Sequence, residues 1–263
     1  MSYFQTFGFV VLRRFFDPGL LGAEIDRALL EGLVLSSEAS GVEMRFQYVP
    51  MMSAATPVSL SLLDRLEAVA VSLLGSPVLP TRAKGVRYGG DTSWHVDSAF
   101  PIASVGFAAY LEALGGENGA LRVLPGSHRP EFAEAIRALG AVDRGATTLP
   151  AHVVVTEPGD VIVFDEHLFH ASFGGGTRRQ WRADYVVDPV GAEAEGHTKA
   201  YFESIYPPDW DGGYDVERAP SYGPDWRGSG RRSVARLGAL GVYDLASRQE
   251  ASFSEARGRN LAP

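Results

Sequence analysis

Trp94-His-Val-Asp97 and Val161-Ile-Val-Phe-Asp-Glu-His-Leu-Phe-His170 are the two stretches that decide the fold of this chain. Residues two apart point to the same side of an extended strand, so this spacing predicts that His95 and Asp97 lie together. Two histidines and a carboxylate on one face of an octahedral iron(II) ion leave positions open for a bidentate co-substrate and dioxygen. The second stretch supplies a distant histidine. The pattern therefore predicts a metal-dependent enzyme.

The composition is that of an ordinary globular protein. The 263 residues include 45% hydrophobic and 21% charged side chains, which is enough for a sizeable core. The net charge of −8 argues against a nucleic-acid partner and against an anionic membrane surface. The chain shows neither a run of about 20 apolar residues nor a secretory signal, so we expect a cytoplasmic protein. The absence of cysteine excludes disulfides and thiolate metal ligands.

Helical patterns come first along the chain and strand patterns follow. The sequence predicts a strand over 7–12, a helix beginning at Asp17-Pro18, and a helix from Thr56-Pro57 to Gly75. Short apolar runs bounded by Gly, Pro and Asn predict strands over 85–88, 104–111, 120–124, 152–155, 160–164 and 181–187. Further helices are predicted over 131–139 and 233–250.

This order predicts a mainly β protein with flanking α-helices, built as a jelly roll. Since no linker separates the helices from the strands, one domain over 1–263 is expected. Within it, we expect helical support over about 1–80, a jelly-roll core over about 81–190 and a C-terminal extension over about 200–263.

The residues that surround the proposed ligands carry a family resemblance. After Trp94-His-Val-Asp97 come Gly116-Glu-Asn-Gly-Ala-Leu-Arg-Val-Leu-Pro-Gly-Ser-His-Arg129, Pro158-Gly-Asp-Val-Ile-Val-Phe164 and His170-Ala-Ser172. Over roughly residues 4–190, the chain resembles the phytanoyl-CoA dioxygenase-like family of iron(II)- and 2-oxoglutarate-dependent oxygenases. The resemblance implies a cupin-like double-stranded β-helix that uses Fe(II), 2-oxoglutarate and O₂ to oxidise, most often to hydroxylate, a small organic molecule.

The resemblance implies that His95, Asp97 and His170 are the metal ligands and the catalytic centre. His167 competes for the third position, but on a strand it would face the side opposite to His170. His170 is favoured because Ala-Ser follows it, as in the family. The remaining histidines have weaker claims: His128, which is structural in the family, and His152 and His197, which have no supporting context.

A cation is expected to bind the distal carboxylate of 2-oxoglutarate, and arginine suits this because its planar fork binds a carboxylate through two hydrogen bonds. In the family, this arginine opens the strand that follows the last histidine. Arg178 and Arg179 match that position, and Arg182 is a weaker third candidate. Alternation along a strand allows only one of the two neighbours to face the barrel interior. Ser172 is expected to add a hydrogen bond to the same carboxylate.

A second cation, upstream of the ligand pair, is expected at the other end of the co-substrate. The family often has lysine there. Arg87 lies nearest to that position in the sequence, and Lys84 is the alternative.

The predicted function is therefore oxidation of a small organic molecule, with natural-product biosynthesis as the favoured setting. Asp97 argues against halogenation, because halogenating relatives carry a small residue at this position. Two other functions stay open: a non-catalytic jelly-roll protein that binds a ligand or metal, and an iron oxygenase that does not use 2-oxoglutarate. The sequence predicts no nucleic-acid or membrane partner, and it is compatible with a homodimer.

Two aromatic segments lie outside the predicted barrel. They are Phe46-Gln-Tyr-Val-Pro-Met-Met52 and the stretch from Tyr206 through Trp210, Tyr214 and Tyr222 to Trp226. One hypothesis is that one or both close over the metal and exclude water. The alternative is that these aromatic side chains form a satellite core or a dimer contact.

Overall fold

Two antiparallel β-sheets form the body of the molecule. The computed structural model describes residues 2–31, 33–39, 42–138, 149–207 and 214–260, with side chains described outside 31–46 and 254–260. The strands are β1 Phe9–Leu12, β2 Leu33–Ala39, β3 Val42–Pro50, β4 Val78–Pro80, β5 Lys84–Gly89, β6 Thr92–His95, β7 Ser104–Tyr110, β8 Leu121–Val123, β9 His152–Val154, β10 Val161–Asp165, β11 His170–Ser172 and β12 Arg178–Val187. The larger sheet has the order β1-β10-β7-β12-β5-β3-β2, with β4 also paired to β12, and the smaller sheet has the order β6-β11-β8-β9.

Helices flank the two sheets. They are α1 Tyr3–Phe7, α2 Pro18–Glu31, α3 Pro57–Leu74, α4 Pro130–Ala138, α5 Ala192–Ile205, α6 Pro224–Arg227, α7 Arg232–Ala239 and α8 Val242–Asn260. None of the described helices is long and apolar enough to cross a membrane. The predicted fold class, a double-stranded β-helix with flanking helices, is confirmed.

The side chains of strand β12 point alternately to the outer face of the larger sheet and to the barrel interior. Trp181 and Tyr185 lie on its outer face under α3, where Trp181 Nε1 donates to Ser59 Oγ at 2.7 Å and the Tyr185 hydroxyl donates to the Leu63 carbonyl at 2.6 Å. Both aromatic side chains are fully buried. Because side chains alternate along a strand, Arg182 and Asp184 face inward, towards the smaller sheet.

The main hydrophobic core lies on the helix-covered side of the larger sheet and continues into the C-terminal helices. It joins Trp181 of β12 and Leu66 of α3 with Leu237 of α7 and Phe253 of α8. A smaller core, including Phe164 and Leu121, lies between the two sheets. The C-terminal extension therefore shares a core with the rest of the chain.

The N-terminal region corrects one expectation. Residues 1–80 are not purely helical support, because β1 to β4 all belong to the larger sheet. The predicted strand over 7–12 begins at Phe9, since residues 3–7 form α1 and Gly8 ends that helix with φ 81°. The predicted helices at 17 and 57 are present as α2 and α3.

The C-terminal region corrects another. The single helix predicted over 233–250 is two helices, α7 and α8, which are separated at Gly241 with φ 77°. A residue with positive φ has the left-handed backbone conformation, which the interior of a right-handed α-helix does not accommodate. Helix α5 begins at Ala192, before the expected start of the extension.

Candidate metal and co-substrate site

The paired strands β6 and β11 bring two of the predicted ligands together. His95 is the last residue of β6 and His170 is the first of β11, and the two are register partners with ring centroids 4.1 Å apart. Asp97 does not lie on the strand, contrary to the expectation from alternation. It follows β6 in a bend, where its backbone N–H donates to the Glu166 carbonyl at 2.9 Å.

Backbone carbonyls orient both imidazoles. His95 Nδ1 lies 2.8 Å from the Ser93 carbonyl oxygen, and His170 Nδ1 lies 2.9 Å from that of Leu168. Each Nδ1 therefore carries the proton, which leaves each Nε2 as a free lone pair. These Nε2 atoms lie 3.4 Å and 3.6 Å from the two carboxylate oxygens of Asp97.

The three side chains have the spacing of a metal site. Their ligand atoms lie within 4.8 Å of one another, and no other such cluster of His, Asp and Glu occurs in the described part of the chain. Two metal bonds of about 2.0–2.2 Å each can bridge the separations of 3.4 Å and 3.6 Å between the imidazole Nε2 atoms and the Asp97 oxygens. Two imidazole nitrogens and a carboxylate therefore fit a divalent metal with open positions.

Electrostatics favour the metal-binding protonation states of His170 and Asp97. Burial lowers the pKa of His170 to about 4, so the imidazole is neutral at pH 7. Burial tends to raise the pKa of Asp97, but the Arg182 guanidinium and His170 outweigh it and hold that pKa well below its usual value. For His95, burial lowers the pKa, but the hydrogen bond and charge of Asp97 outweigh it and raise the pKa overall. Neutral imidazole and ionised carboxylate are the forms that ligate metal.

His167 is not part of this cluster. Its Nδ1 lies 2.9 Å from Asp165 Oδ1 and its Nε2 lies 2.8 Å from the Phe100 carbonyl oxygen, so both ring nitrogens have protein partners. His128 is also distant from the cluster and contacts the Gln5 carbonyl oxygen at 3.3 Å.

A cavity inside the barrel adjoins the two histidines. Its polar lining comes from both sheets and includes Tyr88, Thr92, Tyr110, Ser172, Arg178 and Gln180. Two of these side chains present buried polar atoms that no described group satisfies, Arg178 Nε and Gln180 Oε1. Unsatisfied buried polar atoms are costly, so they indicate a place for a polar ligand or ordered water.

Arg178 points into this cavity. It is 3% exposed, and its Nη2 donates to Ser172 Oγ at 2.8 Å while its Nη1 donates to the Gly90 carbonyl at 3.1 Å. No carboxylate pairs with it in the described part of the chain. Gly119 has φ 92°, and a Cβ there would lie 3.1 Å from Arg178 Nη1, so glycine leaves space for the guanidinium.

Arg179 and Arg87 lie on the opposite, outer face of the larger sheet. Arg179 donates to Glu112 Oε1 at 2.8 Å and to Asp26 Oδ2 at 2.6 Å. Arg87 is its register partner on β5 and contacts Gln47 and the same Asp26. The structure thus separates the two neighbouring arginine candidates and corrects the placement of Arg87, because alternation turns both outer-face residues away from the cavity.

Arg182 lies beside the metal cluster and not beside Ser172. Its Nη2 donates to Asp97 Oδ2 at 2.6 Å and to Asp184 Oδ1 at 2.8 Å. Lys84, the alternative upstream cation, is its register partner and faces the same interior. Burial lowers the pKa of Lys84 to about 8, although Asp184 opposes this shift.

Sequence reasoning missed the buried acid Glu166 and the tyrosine that contacts it. The Tyr201 hydroxyl of α5 lies 3.1 Å and 3.2 Å from the two carboxyl oxygens of Glu166. Burial, together with the nearby Asp184 and Asp97 charges, raises the pKa of Glu166 to about 8. Asp184 could have been predicted as an inward-facing neighbour of Arg182 from the alternation of side chains along the strand. Nothing in the sequence indicated that a residue of α5 would contact Glu166.

The two aromatic segments are core and not a cover over the metal. Tyr48 of β3 is 1% exposed, and Tyr206, Tyr214, Tyr222 and Trp226 are also buried, all in the main core. The Arg82 guanidinium packs over the Tyr48 and Tyr206 rings at 5.1 Å and 4.6 Å. The lid hypothesis is wrong for these residues, because their rings already have apolar partners. Trp210 and the Phe46 side chain lie outside the described residues.

This geometry is matched by a family relationship. The family model described as Phytanoyl-CoA dioxygenase (PhyH) matches residues 4–182. The chain belongs to the phytanoyl-CoA dioxygenase family. As expected from the sequence, the protein is an iron(II)- and 2-oxoglutarate-dependent dioxygenase, so the non-catalytic alternative is wrong. No curated protein sequence matches the chain significantly.

Solved structures share the fold of this family member. AviO1 from Streptomyces viridochromogenes Tue57 is 21% identical with a TM-score of 0.57, covering 72% of this chain and 94% of that one. Iron-bound EctD from S. alaskensis is 25% identical with a TM-score of 0.54, covering 71% and 75%. HygX from Streptomyces hygroscopicus, with nickel and 2-oxoglutarate bound, is 20% identical with a TM-score of 0.54, covering 70% and 84%.

Proposed function

We propose that His95, Asp97 and His170 hold iron(II), that Arg178 binds 2-oxoglutarate, and that the enzyme oxidises a small organic molecule in natural-product biosynthesis. The observation that carries this proposal is the adjacency of the metal-type cluster to a buried arginine without a carboxylate partner. When bound, iron(II), 2-oxoglutarate and O₂ supply oxidative decarboxylation of the co-substrate to succinate and CO₂, coupled to substrate oxidation.

The chain's own residues position the reactants. The carbonyls of Ser93 and Leu168 fix the imidazole tautomers, so both Nε2 atoms aim at one point. Arg178 and Ser172 offer donors to the distal carboxylate of the co-substrate, in place of the hydrogen bond that they now share. The apolar walls, among them Phe164 and Leu121, exclude water from the cavity.

Two solved structures with a similar fold support the metal and the co-substrate proposed for this chain. The HygX structure contains 2-oxoglutarate and the EctD structure contains iron, which supports the same ligands here. The net charge of −8 supports a small-molecule substrate over nucleic acid, and we place the enzyme in the cytoplasm. We further propose one domain over 1–263, supported by the core that joins α3 to α7 and α8.

The direct test is anaerobic loading. Purified protein mixed with iron(II) and then 2-oxoglutarate is expected to show a weak visible charge-transfer band, and admission of O₂ is expected to yield succinate. Arg178→Met is the matched variant, because it should keep iron but lose the band at co-substrate concentrations that saturate the native protein. Absence of both band and succinate in the native protein would refute the proposal. Product formation without 2-oxoglutarate consumption would favour the oxygenase that does not use it.

A further inference from the structure

Two cationic side chains, Lys84 and Arg182, lie side by side inside the barrel, beyond the metal cluster. On the inner faces of β5 and β12, the register pairs Tyr88 with Arg178 and Lys84 with Arg182. The first pair lies at the proposed co-substrate end of the cavity, which Ser172 also lines. The second pair lies at the other side of the cluster, where Arg182 contacts Asp97 at 2.6 Å.

The co-substrate cannot occupy both ends. Arg182 lies four positions after Arg178, which places their Cα atoms about 13 Å apart along a strand at roughly 3.3 Å per residue. The four C–C bonds of 2-oxoglutarate, at about 1.5 Å each, span at most about 6 Å. With its distal carboxylate at Arg178, the co-substrate therefore ends near the metal and leaves the Lys84–Arg182 pair to another ligand.

Lys84 lacks a partner for its charge. Its ammonium makes no hydrogen bond or ion pair with any residue in the ranges that the structure describes. Its lowered pKa, about 8, agrees with a half-buried cation whose desolvation Asp184 only partly compensates. An unpaired charge in a barrel interior is costly, so a ligand anion would relieve it.

The charge balance favours one further anion. The charged groups that act on Lys84 are Asp184, Arg182, Arg82 and Asp97. Glu166, in turn, is close to Asp184, Asp97 and Arg182. Tyr201 contacts the Glu166 carboxyl group, and Arg82 packs on tyrosine rings. Asp97 is assigned to the metal, which leaves Asp184 as the ion-pair partner of Arg182.

On β7, the strand next to β12 in the same sheet, a glycine lies beside the Arg182 guanidinium. A Cβ on Gly106 of β7 would lie 2.9 Å from the Phe164 ring and 3.1 Å from Arg182 Nη2. Glycine at this position therefore lets the guanidinium extend towards Asp97 beside the cavity.

We infer that Lys84 and Arg182 bind a carboxylate of the substrate, so that the substrate is a small carboxylic acid oriented with its acid group beside the metal. This inference rests on the proposed function, because it takes the Arg178 end of the cavity as the co-substrate site. A single negative charge matches the Lys84 ammonium, which has no hydrogen-bond or ion-pair partner among the described residues.

The test uses the fact that the chain has just two lysines, Lys84 and the exposed Lys199. Protein labelled with ¹³C-lysine and loaded with zinc and 2-oxoglutarate is titrated with acetate, propionate, benzoate and phenylacetate, and separately with the corresponding amides. At least one acid should move the Lys84 Cε resonance in a saturable manner, while Lys199 and the amide titrations stay unchanged. Lys84→Met assigns the signal.

Two variants sharpen the result. Arg182→Gln should weaken the carboxylate effect by about tenfold, because one charged donor is lost. Arg87→Gln changes a residue on the outer face of β5, the strand that carries Lys84, and should leave the carboxylate effect unchanged. No response of Lys84 to any acid overturns the inference. So does a Lys84 shift that 2-oxoglutarate alone saturates, which would make Lys84 a co-substrate ligand. Calorimetry of metal-dependent 2-oxoglutarate binding tests the proposed function separately, since it does not involve Lys84.

Discussion

His95 and His170 stand opposite each other on paired strands, and each imidazole is held by the carbonyl of the residue two positions before it. Because both Nδ1 atoms are occupied, both Nε2 atoms face Asp97. The two rings therefore enter a metal site with their tautomers already fixed, and little reorganisation accompanies binding.

Removal of any one ligand should abolish turnover. His95→Ala, Asp97→Ala and His170→Ala each leave two protein ligands, and iron affinity should fall by more than the roughly 10–100-fold that loss of an outer hydrogen-bond partner costs. Anaerobic iron titration and succinate formation measure the two effects.

His167→Ala is the matched control, since its ring lies three residues from His170 but contacts Asp165 and Phe100. It should lose about 1–3 kcal/mol of stability from two hydrogen bonds and keep bound iron. Loss of iron in this variant with normal iron in His170→Ala would reverse the assignment of the third ligand.

Arg178 and Arg179 should differ sharply in their effect on the co-substrate. Arg178→Ala should raise the 2-oxoglutarate requirement at least 30-fold, because a buried charged pair that loses one partner costs about 2–5 kcal/mol. Arg179→Ala removes contacts with Glu112 and Asp26 on the outer face of the sheet, where the Arg179 side chain is 30% exposed. Because this face lies away from the cavity, co-substrate affinity should stay normal. Calorimetric titration of the metal-loaded variants decides this, and equal affinities in both would remove Arg178 from the site.

The alternation of β12 was predictable from the sequence, but its phase was not. Only one of Arg178 and Arg179 could face inward, and the choice depends on which side of the strand α3 covers. The large apolar residues Trp181 and Tyr185 mark that side because they pack under α3 at Ser59. A single sequence does not say whether such residues face a helix layer or the barrel interior.

The sequence predicted the three metal ligands, but part of the structural reason given for them was incorrect. The motif places His95 and Asp97 correctly at one site, but a bend after β6 brings them together where strand alternation was expected to do so. Strands β6 (Thr-Ser-Trp-His) and β11 (His-Ala-Ser) were not among the predicted apolar runs, because each contains only one apolar residue. Burial of Tyr214 depends on Tyr48 of β3, which is distant in sequence, and on Phe253 of α8.

Lys84→Met should stabilise the protein at neutral pH. The pKa of Lys84 is lowered to about 8 in the folded chain from 10.5, so folding disfavours its charged form. At about 1.4 kcal/mol per pKa unit, this lowering of the pKa from 10.5 to about 8 corresponds to a gain on the order of 3–4 kcal/mol for the variant below pH 8. Because the native lysine loses its proton between pH 8 and 10.5 only when folded, the advantage should disappear across that window.

Urea unfolding of both proteins from pH 7 to 10.5 measures this difference. Arg87→Met, on the outer face of β5, should show no comparable gain, since it is half-exposed and contacts Gln47. A difference that is constant with pH would mean that the stabilisation comes from packing and not from the buried charge.

Trp226→Ala should destabilise the protein without changing the response to ligands. The indole is 1% exposed in the main core, beneath the Arg231 guanidinium at 4.9 Å. Loss of a buried tryptophan costs about 3–5 kcal/mol, whereas Phe132→Ala, at a side chain that is 40% exposed, should cost within about 0.5 kcal/mol. Urea unfolding gives both values. If Trp226 belonged to a closing lid, limited proteolysis near 226 would slow when metal and 2-oxoglutarate bind, and the variant would keep its stability. The packing predicts the opposite pair of results, because a ring with fixed apolar neighbours leaves its site only when the core itself opens.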